Sequence, residues 1–427
     1  MNNKAIKLDV NLSTLIEKFF YILGFVCTFN VITIKIGGID LALANFIIIA
    51  LICMMSVKNR FKITLSRQWI YIYILMILFV VSTMINIDYL NDLYLSRSIK
   101  MVFKISILFL LLFLMKRDEF SELCKRRFFD GLKISIFCQM ILGLCQLILY
   151  QFFHIDLNFL LLKTENEMLN IYQNEFRTAG FTGNHAFFGL LMVIGFFLEK
   201  NSWRKWMYIL VLLVSTSRTS IVAFAISILI IVIYRYLHRE ARYNRNLKIK
   251  KETLILILVG IFFLLTIVMV EFNVVDKFFE GLTVTIEKFQ KGILGNDSSA
   301  NMHLRFYTEV PSMWKKLSIV QILFGTGTYA SGYTFSNITG IYEWLNFWNP
   351  DTDIATIIIG NGIVTFVIYC VVYCKSIMNA IKNNEGKYAS ILLVVFIAGF
   401  GYLYIASTWT FLILLMTSLR KGEKHGK

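Results

Sequence analysis

Arg177-Thr-Ala-Gly-Phe-Thr-Gly-Asn-His-Ala-Phe-Phe-Gly189 is polar, glycine-rich and turn-prone, yet it lies between two long apolar runs. It places one Arg, and one His at His185, where a chain entering lipid leaves water behind. A cation at that depth needs something that opposes its charge. Gly180, Thr182, Gly183 and Asn184 are turn and N-cap types, so a helix is expected to start at once afterwards. The free N–H groups of that helix start carry partial positive charge and suit an anion. With Arg177 alongside, they would grip a phosphate through parallel hydrogen bonds. The competing reading is an interfacial Arg on lipid headgroups beside an ordinary N-cap.

Apolar runs like the two flanking this stretch recur along the whole chain. Of 427 residues, 57% are hydrophobic and only 16% charged, whereas soluble domains hold about a quarter charged. Runs of about 20 apolar residues mean transmembrane helices, and the alternation of barrel strands is missing. The expectation is an all-α polytopic membrane protein, one integral domain over 1–427. About twelve spans are expected, at roughly 19–34, 37–57, 69–86, 98–115, 132–153, 182–198, 205–217, 219–237, 253–271, 353–374, 388–405 and 407–419. The N-terminus is polar and has no small-residue cleavage site, which reads as a first span rather than a signal peptide. The seven Cys form no CxxC pair, and no disulfide framework is implied.

Orientation follows from Lys and Arg in the short connections. Lys58, Arg60, Lys62, Arg67, Lys116, Arg117, Lys125, Arg126, Arg127, Arg204, Lys205, residues 235–251, residues 375–387 and the tail are basic-rich. All fall on one side if both termini are cytoplasmic. The net charge of +16 is then a matter of topology and anionic inner-leaflet lipid, and does not argue for nucleic acid. Two long extracytoplasmic segments remain, 154–181 and 272–352. Loops of that length without low complexity are usually binding loops or lids.

Further basic and acidic groups lie near the outer edge. Arg218 sits in Ser215-Thr-Ser-Arg-Thr-Ser220, a tight hairpin rich in hydroxyls. It binds an anion or snorkels to headgroups. His303, Arg305 and Glu309 share the second long segment, and Arg305 and Glu309 are spaced to pair on a helix. Asp351-Thr-Asp353 follows Pro350 and has two readings, a metal-holding DxD or the cap of the next helix. Arg97, Lys100 and Lys104 share one helix face; Lys104 would pair with Asp88 or Asp92, or line a polar groove. No P-loop, GxGxxG, HExxH or GxSxG motif is present, so ATP hydrolysis and zinc chemistry lack sequence support.

The ordered set of motifs resembles the O-antigen polymerase and ligase superfamily, membrane proteins that handle sugars on undecaprenyl diphosphate. Three segments carry the likeness. The Arg177 stretch is similar to that family's Arg-x-x-Gly and Asn run before a helix. Ser217-Arg218-Thr-Ser is similar to its Ser-Arg-Gly/Thr turn. Arg305, then Phe324-Gly-Thr-Gly327, then an acid before a helix, is similar to its large loop. Asn349-Pro-Asp351-Thr-Asp353 stands where the family often has a His.

The resemblance implies a polysaccharide polymerase of the bacterial cytoplasmic membrane, for capsule, O-antigen or exopolysaccharide. Such an enzyme moves a glycan from undecaprenyl diphosphate to another lipid-linked repeat unit on the outer face. Arg177, Arg218 and Arg305 would bind the leaving diphosphate, with His303, Glu309 or Asp353 as base. His185, Arg97, Lys100 and Lys104 would be secondary. The leaving group is already good, so neither a metal nor another cofactor is expected. The expected partners are lipid-linked repeats, the bilayer and a chain-length regulator. Two alternatives stay open: a ligase-type transferase with another acceptor, and a lipid-linked oligosaccharide flippase. A flippase would favour charges along a central cavity and short outer loops.

Overall fold

The computed structural model describes residues 2–29, 32–36, 39–62, 69–115, 119–155, 157, 171–172, 175–176, 178–215, 217–239, 307–340, 352–402 and 408–418. These are mostly helical. The first helices are α1 (Asn2–Val26), α2 (Leu43–Lys58), α3 (Ile70–Ile85), α4 (Asp92–Leu114) and α5 (Glu119–Phe153). The middle of the chain holds α6 (His185–Leu198), α7 (Ser202–Val214) and α8 (Arg218–Arg239). Three short helices follow: α9 (Val310–Trp314), α10 (Ile319–Phe324) and α11 (Ser331–Thr339). The last are α12 (Asp353–Gly360), α13 (Gly362–Lys382), α14 (Gly386–Ala398) and α15 (Thr408–Ser418). Two antiparallel ladders complete the described elements. One pairs β1 (Thr33–Ile36) with β2 (Ile39–Ala42), the other β3 (Ile171–Tyr172) with β4 (Glu175–Phe176).

Two described segments are long and apolar enough to cross a membrane, Phe120–Tyr150 within α5 and Gly362–Lys382 as α13. Six further apolar helices are shorter. The long α5 packs along α1 with backbones close together. A Cβ added at Gly24 would come 2.0 Å from the Phe128 carbonyl oxygen, so the helices meet where one lacks a side chain.

At the centre stands α6, whose Phe188, Leu190, Leu191, Met192, Val193 and Ile194 are all 1% exposed or less. A helix apolar on every side is a buried one, and α5, α7, α8 and α14 surround it. By contrast, α8 turns Val222, Ile226, Leu229, Ile230 and Ile233 outward, and α3 does the same with Ile70, Ile74, Ile77 and Met84.

The single span expected over 353–374 is broken. Helix α12 stops at Gly360, Asn361 caps it through its N–H to the Ile357 carbonyl, and α13 restarts at Gly362 with φ of +82°. Two glycines around an asparagine are poor helix formers and permit this break. Residues 325–328 lie against it: the N–H groups of Thr326 and Gly327 donate to the carbonyls of Ile359 (3.1 Å) and Gly360 (2.9 Å). This part of the second long segment is buried. Thr326, Ala330, Ser331, Thr334 and Phe335 are 0% exposed.

A polar network fixes it there. Ser82 Oγ donates to the Gly360 carbonyl at 2.6 Å, Asn86 Nδ2 to the Gly325 carbonyl at 2.9 Å, and Asn361 Nδ2 to Thr328 Oγ1 at 2.6 Å. Ser98 Oγ donates to the Thr328 carbonyl at 2.5 Å. This stretch of the second long segment is therefore packed into the helices rather than lying open. Its threonines are partnered as they are buried: Thr328 Oγ1 donates to the Phe79 carbonyl, Thr326 Oγ1 to the Ile359 carbonyl, and Thr334 Oγ1 to Thr326 Oγ1.

The other end of the bundle carries charge. Lys125 of α5 is fully buried, with its Nζ 2.7 Å from Glu385 Oε2, 3.8 Å from Glu122 Oε2 and 4.7 Å from the Tyr388 ring centroid. Between α6 and α7, Glu199 accepts from Lys133 Nζ at 3.0 Å and from the N–H groups of Lys200 and Asn201.

Candidate functional site

Three helices that begin at one end of the bundle are held together there. Helix α6 starts after a turn of 3₁₀ helix, Gly180–Thr182, and Asn184 is its N-cap: Asn184 Oδ1 accepts from the N–H groups of Ala186 and Phe187. Helix α8 starts at Arg218, where Ser217 Oγ lies 2.8 Å from Ser220 Oγ. Helix α12 starts at Asp353, and Thr352 Oγ1 accepts from the Ala355 N–H at 3.2 Å. Thr352 is thus the capping residue and Asp353 the first helical one.

The links between these starts are specific. Ser220 Oγ donates to the Ala186 carbonyl at 3.2 Å, joining α8 to α6. A Cβ on Gly189 would come 2.5 Å from Ser217 Cβ, so only glycine lets the two helices approach so closely. The turn after α14 is the hub. The Asp353 N–H donates to the carbonyls of Gly399 (2.9 Å) and Tyr402 (3.2 Å), and Thr219 Oγ1 donates to the Gly401 carbonyl at 3.3 Å. Asn184 Nδ2 donates to the Tyr402 hydroxyl at 2.5 Å.

Aromatic rings line this convergence. Phe187 meets Tyr402 and Trp409 edge-on, with centroids 5.8 and 6.1 Å apart. The Tyr307 hydroxyl donates to the Phe400 carbonyl at 2.6 Å, and burial is the main cause that pushes its pKa up to about 12. Tyr307 therefore stays a donor throughout the neutral range. Asp353 is 1% exposed and borders a small cavity shared with Tyr369, Tyr373 and Thr410. Three helix starts and one guanidinium favour negative charge at this end.

Of the residues singled out in the sequence, Arg218 and His185 are the first residues of α8 and α6, both half-buried. Asp353 joins them through the 399–402 turn. Glu309 precedes α9 and accepts from Ser312 Oγ at 2.9 Å. Arg97, Lys100 and Lys104 follow one another along α4, all half-buried, with Arg97 5.5 Å from the Tyr94 ring centroid. Arg177, His303, Arg305 and Asp351 lie outside the described residues.

The sequence reading passed over Gln139 and Gln146, both 0% exposed on α5, which hold the turn after Arg177 from beneath. Their signal was there: two glutamines seven apart in an apolar run fall on one helix face. It also passed over Tyr402 and the 399–402 turn, which carry no motif.

Comparison with known proteins adds no name to this geometry: no protein-family model matches the chain, and no curated protein matches it.

Proposed function

We propose that the chain is a multi-pass protein of the bacterial cytoplasmic membrane, with about twelve spans, that polymerises a glycan carried on undecaprenyl diphosphate. The membrane reading is supported by the two long apolar helices and by the outward apolar faces of α3 and α8. The observation that carries the function is the joining of the α6, α8 and α12 starts, with Arg218 at the head of α8. That arrangement suits the developing charge on a leaving diphosphate. Arg177 and Arg305 join it in this reading as further diphosphate ligands. An acceptor hydroxyl gives up its proton and attacks the anomeric carbon of the donor glycan. The bond to the diphosphate oxygen then breaks, and that oxygen leaves with the electron pair. Of the candidate bases, Asp353 is tied into the hub through its backbone N–H, and the reading gives its carboxylate the proton.

The test is direct. Purified protein with undecaprenyl-diphosphate-linked repeats is expected to lengthen the glycan and release undecaprenyl diphosphate. Arg218→Lys keeps the charge but loses the planar fork, and should slow the step about ten- to a hundredfold. An unlengthened substrate with well-folded wild-type protein would sink the reading. Offering a non-repeat acceptor in the same assay separates a ligase from a polymerase.

One observation favours the flippase alternative. Discontinuous helices such as α12 and α13 are a feature of transporters that bind substrate at the break. Reconstituted vesicles that translocate a labelled lipid-linked sugar without lengthening it would decide for that alternative.

A further inference from the structure

Beneath the turn at 178–183 lie polar groups that the joined helix starts do not use. Gln139 and Gln146 present their side-chain oxygens to two consecutive backbone donors. The Phe181 N–H reaches Gln139 Oε1 at 2.7 Å, and the Gly180 N–H reaches Gln146 Oε1 at 3.0 Å. Because an N–H must meet an oxygen, Gln146 Nε2 is fixed on the other side of its amide. Gln139 Nε2 donates to Thr28 Oγ1 at 3.4 Å, which in turn lies 2.6 Å from Ser135 Oγ. Gln146 Nε2 has no such outlet. It and Thr178 Oγ1 are shut off from solvent and have no hydrogen-bond partner among the described residues. Gln146 is 0% exposed and Thr178 1%.

We propose that Gln146 Nε2 and Thr178 Oγ1 form a buried subsite for one phosphate oxygen of a polyprenyl-phosphate lipid, reached as the 178–183 turn lifts. The proposal rests on the transferase reading above and makes both residues positioning residues for its donor. Both unspent groups can donate, which suits an acceptor oxygen and not a cation. Thr178 directly follows Arg177 in the chain, so a ligand oxygen here would lie next to the residue read as its principal cation. Buried donors without partners destabilise the closed turn relative to one fully bonded. Opening is correspondingly easy, and a ligand that satisfies the donors holds the turn in place. Only glycine fits this close approach: Gly180 has φ of +54°, and a Cβ there would come 2.4 Å from Gln139 Oε1.

The experiment uses full-length protein in nanodiscs, titrated with undecaprenyl diphosphate, undecaprenyl monophosphate and inorganic pyrophosphate, with binding read by native mass spectrometry. Thr178→Val removes the hydroxyl at constant shape, and Thr178→Ser restores it. Gln146→Glu keeps an oxygen for the Gly180 N–H but removes the amide donor. Wild type is expected to bind the lipid phosphates. Thr178→Val and Gln146→Glu should each weaken that binding about ten- to a hundredfold, and Thr178→Ser should recover it. Amide exchange at Gly180 and Phe181 should slow when the lipid binds to wild type. Wild-type binding with all three variants unchanged, and no slowing of exchange, overturns the subsite while leaving the transferase reading intact. Failure of wild type to bind either lipid phosphate overturns both, as does binding of inorganic pyrophosphate alone.

Discussion

Asn184 and Tyr402 are 218 residues apart in sequence, and the Asn184 amide donates to the Tyr402 hydroxyl at 2.5 Å. Asn184 uses its other side-chain atom to cap α6, so one side chain both starts a helix and ties it to the turn after α14. Tyr402→Phe should cost about 1 kcal/mol, the net worth of one hydrogen bond. Asn184→Ala loses the cap as well and should cost about 2 kcal/mol. Denaturant unfolding of the two single variants and the double variant should give a coupling of about 1 kcal/mol. Strict additivity would mean that the bond contributes nothing.

The glycines at the helix break should differ sharply from another glycine of similar backbone. Gly325 (φ +85°) and Gly362 (φ +82°) face carbonyl oxygens that an added Cβ would approach to 2.2 and 2.3 Å. Alanine at either position combines left-handed strain with a backbone clash and should cost about 3 kcal/mol or more. Gly340 has φ of +64° but nothing within 4 Å of a Cβ, so Gly340→Ala should cost only about 1 kcal/mol. Equal melting temperatures for Gly362→Ala and Gly340→Ala would contradict the packing described at the break.

Lys125 is the most deeply buried charge described, and Glu385 is its nearest acid. Glu385→Gln should destabilise by about 2 kcal/mol, less than the ~3–5 kcal/mol of a fully buried pair, because Glu122 stays within 3.8 Å. Lys125→Met combined with Glu385→Gln should recover much of that loss. A double variant worse than Glu385→Gln alone would show that the lysine has a role beyond this pair.

The α6–α7 turn should loosen in acid. Burial alone would raise the Glu199 pKa, but the Asn201 N–H, Lys133 and the Lys200 N–H outweigh it, and the pKa lies below the ordinary 4.5. The stability this carboxylate lends is present in full above that ordinary value and is lost as pH falls through the lowered one. Fluorescence of Trp203 and Trp206, both exposed beside this turn, should stay constant from pH 8 to about pH 5 and change below that. Glu199→Gln should remove the acid transition.

A mostly helical fold was legible in the sequence because apolar runs are a local property, but the span expected over 19–34 was not right: the first helix ends at Val26 and Thr33–Ile36 is a strand. The helix starts after Gly183 and at Arg218 were legible as well, since glycine, serine, threonine and asparagine announce helix starts, whereas Asp351-Thr-Asp353 reads equally as a metal site or a cap. That these starts are bound together by Tyr402 and Gly401 was not, because a backbone carbonyl can serve any residue and leaves no mark on composition. The break at Asn361 was hidden for a related reason: Gly360-Asn-Gly362 breaks a helix only because residues 325–328 arrive to take the freed carbonyls. A tally of apolar residues likewise gave no warning that Thr326 and Thr328 are buried, since their hydroxyls donate to carbonyls at Ile359 and Phe79, far off in the chain.

The network around residues 325–328 has a consequence for the order of assembly. Ser82, Asn86 and Ser98 belong to the first quarter of the chain, yet they donate to carbonyls at 325, 328 and 360. During synthesis these donors wait until more than three quarters of the polypeptide has emerged. The later helices therefore complete a structure begun by α3 and α4, and a chain truncated before Gly325 would leave Ser82, Asn86 and Ser98 without these acceptors. Quality-control proteases would meet such nascent chains as long-lived partial folds, with early donors left open until the second long segment and the helix after it are made.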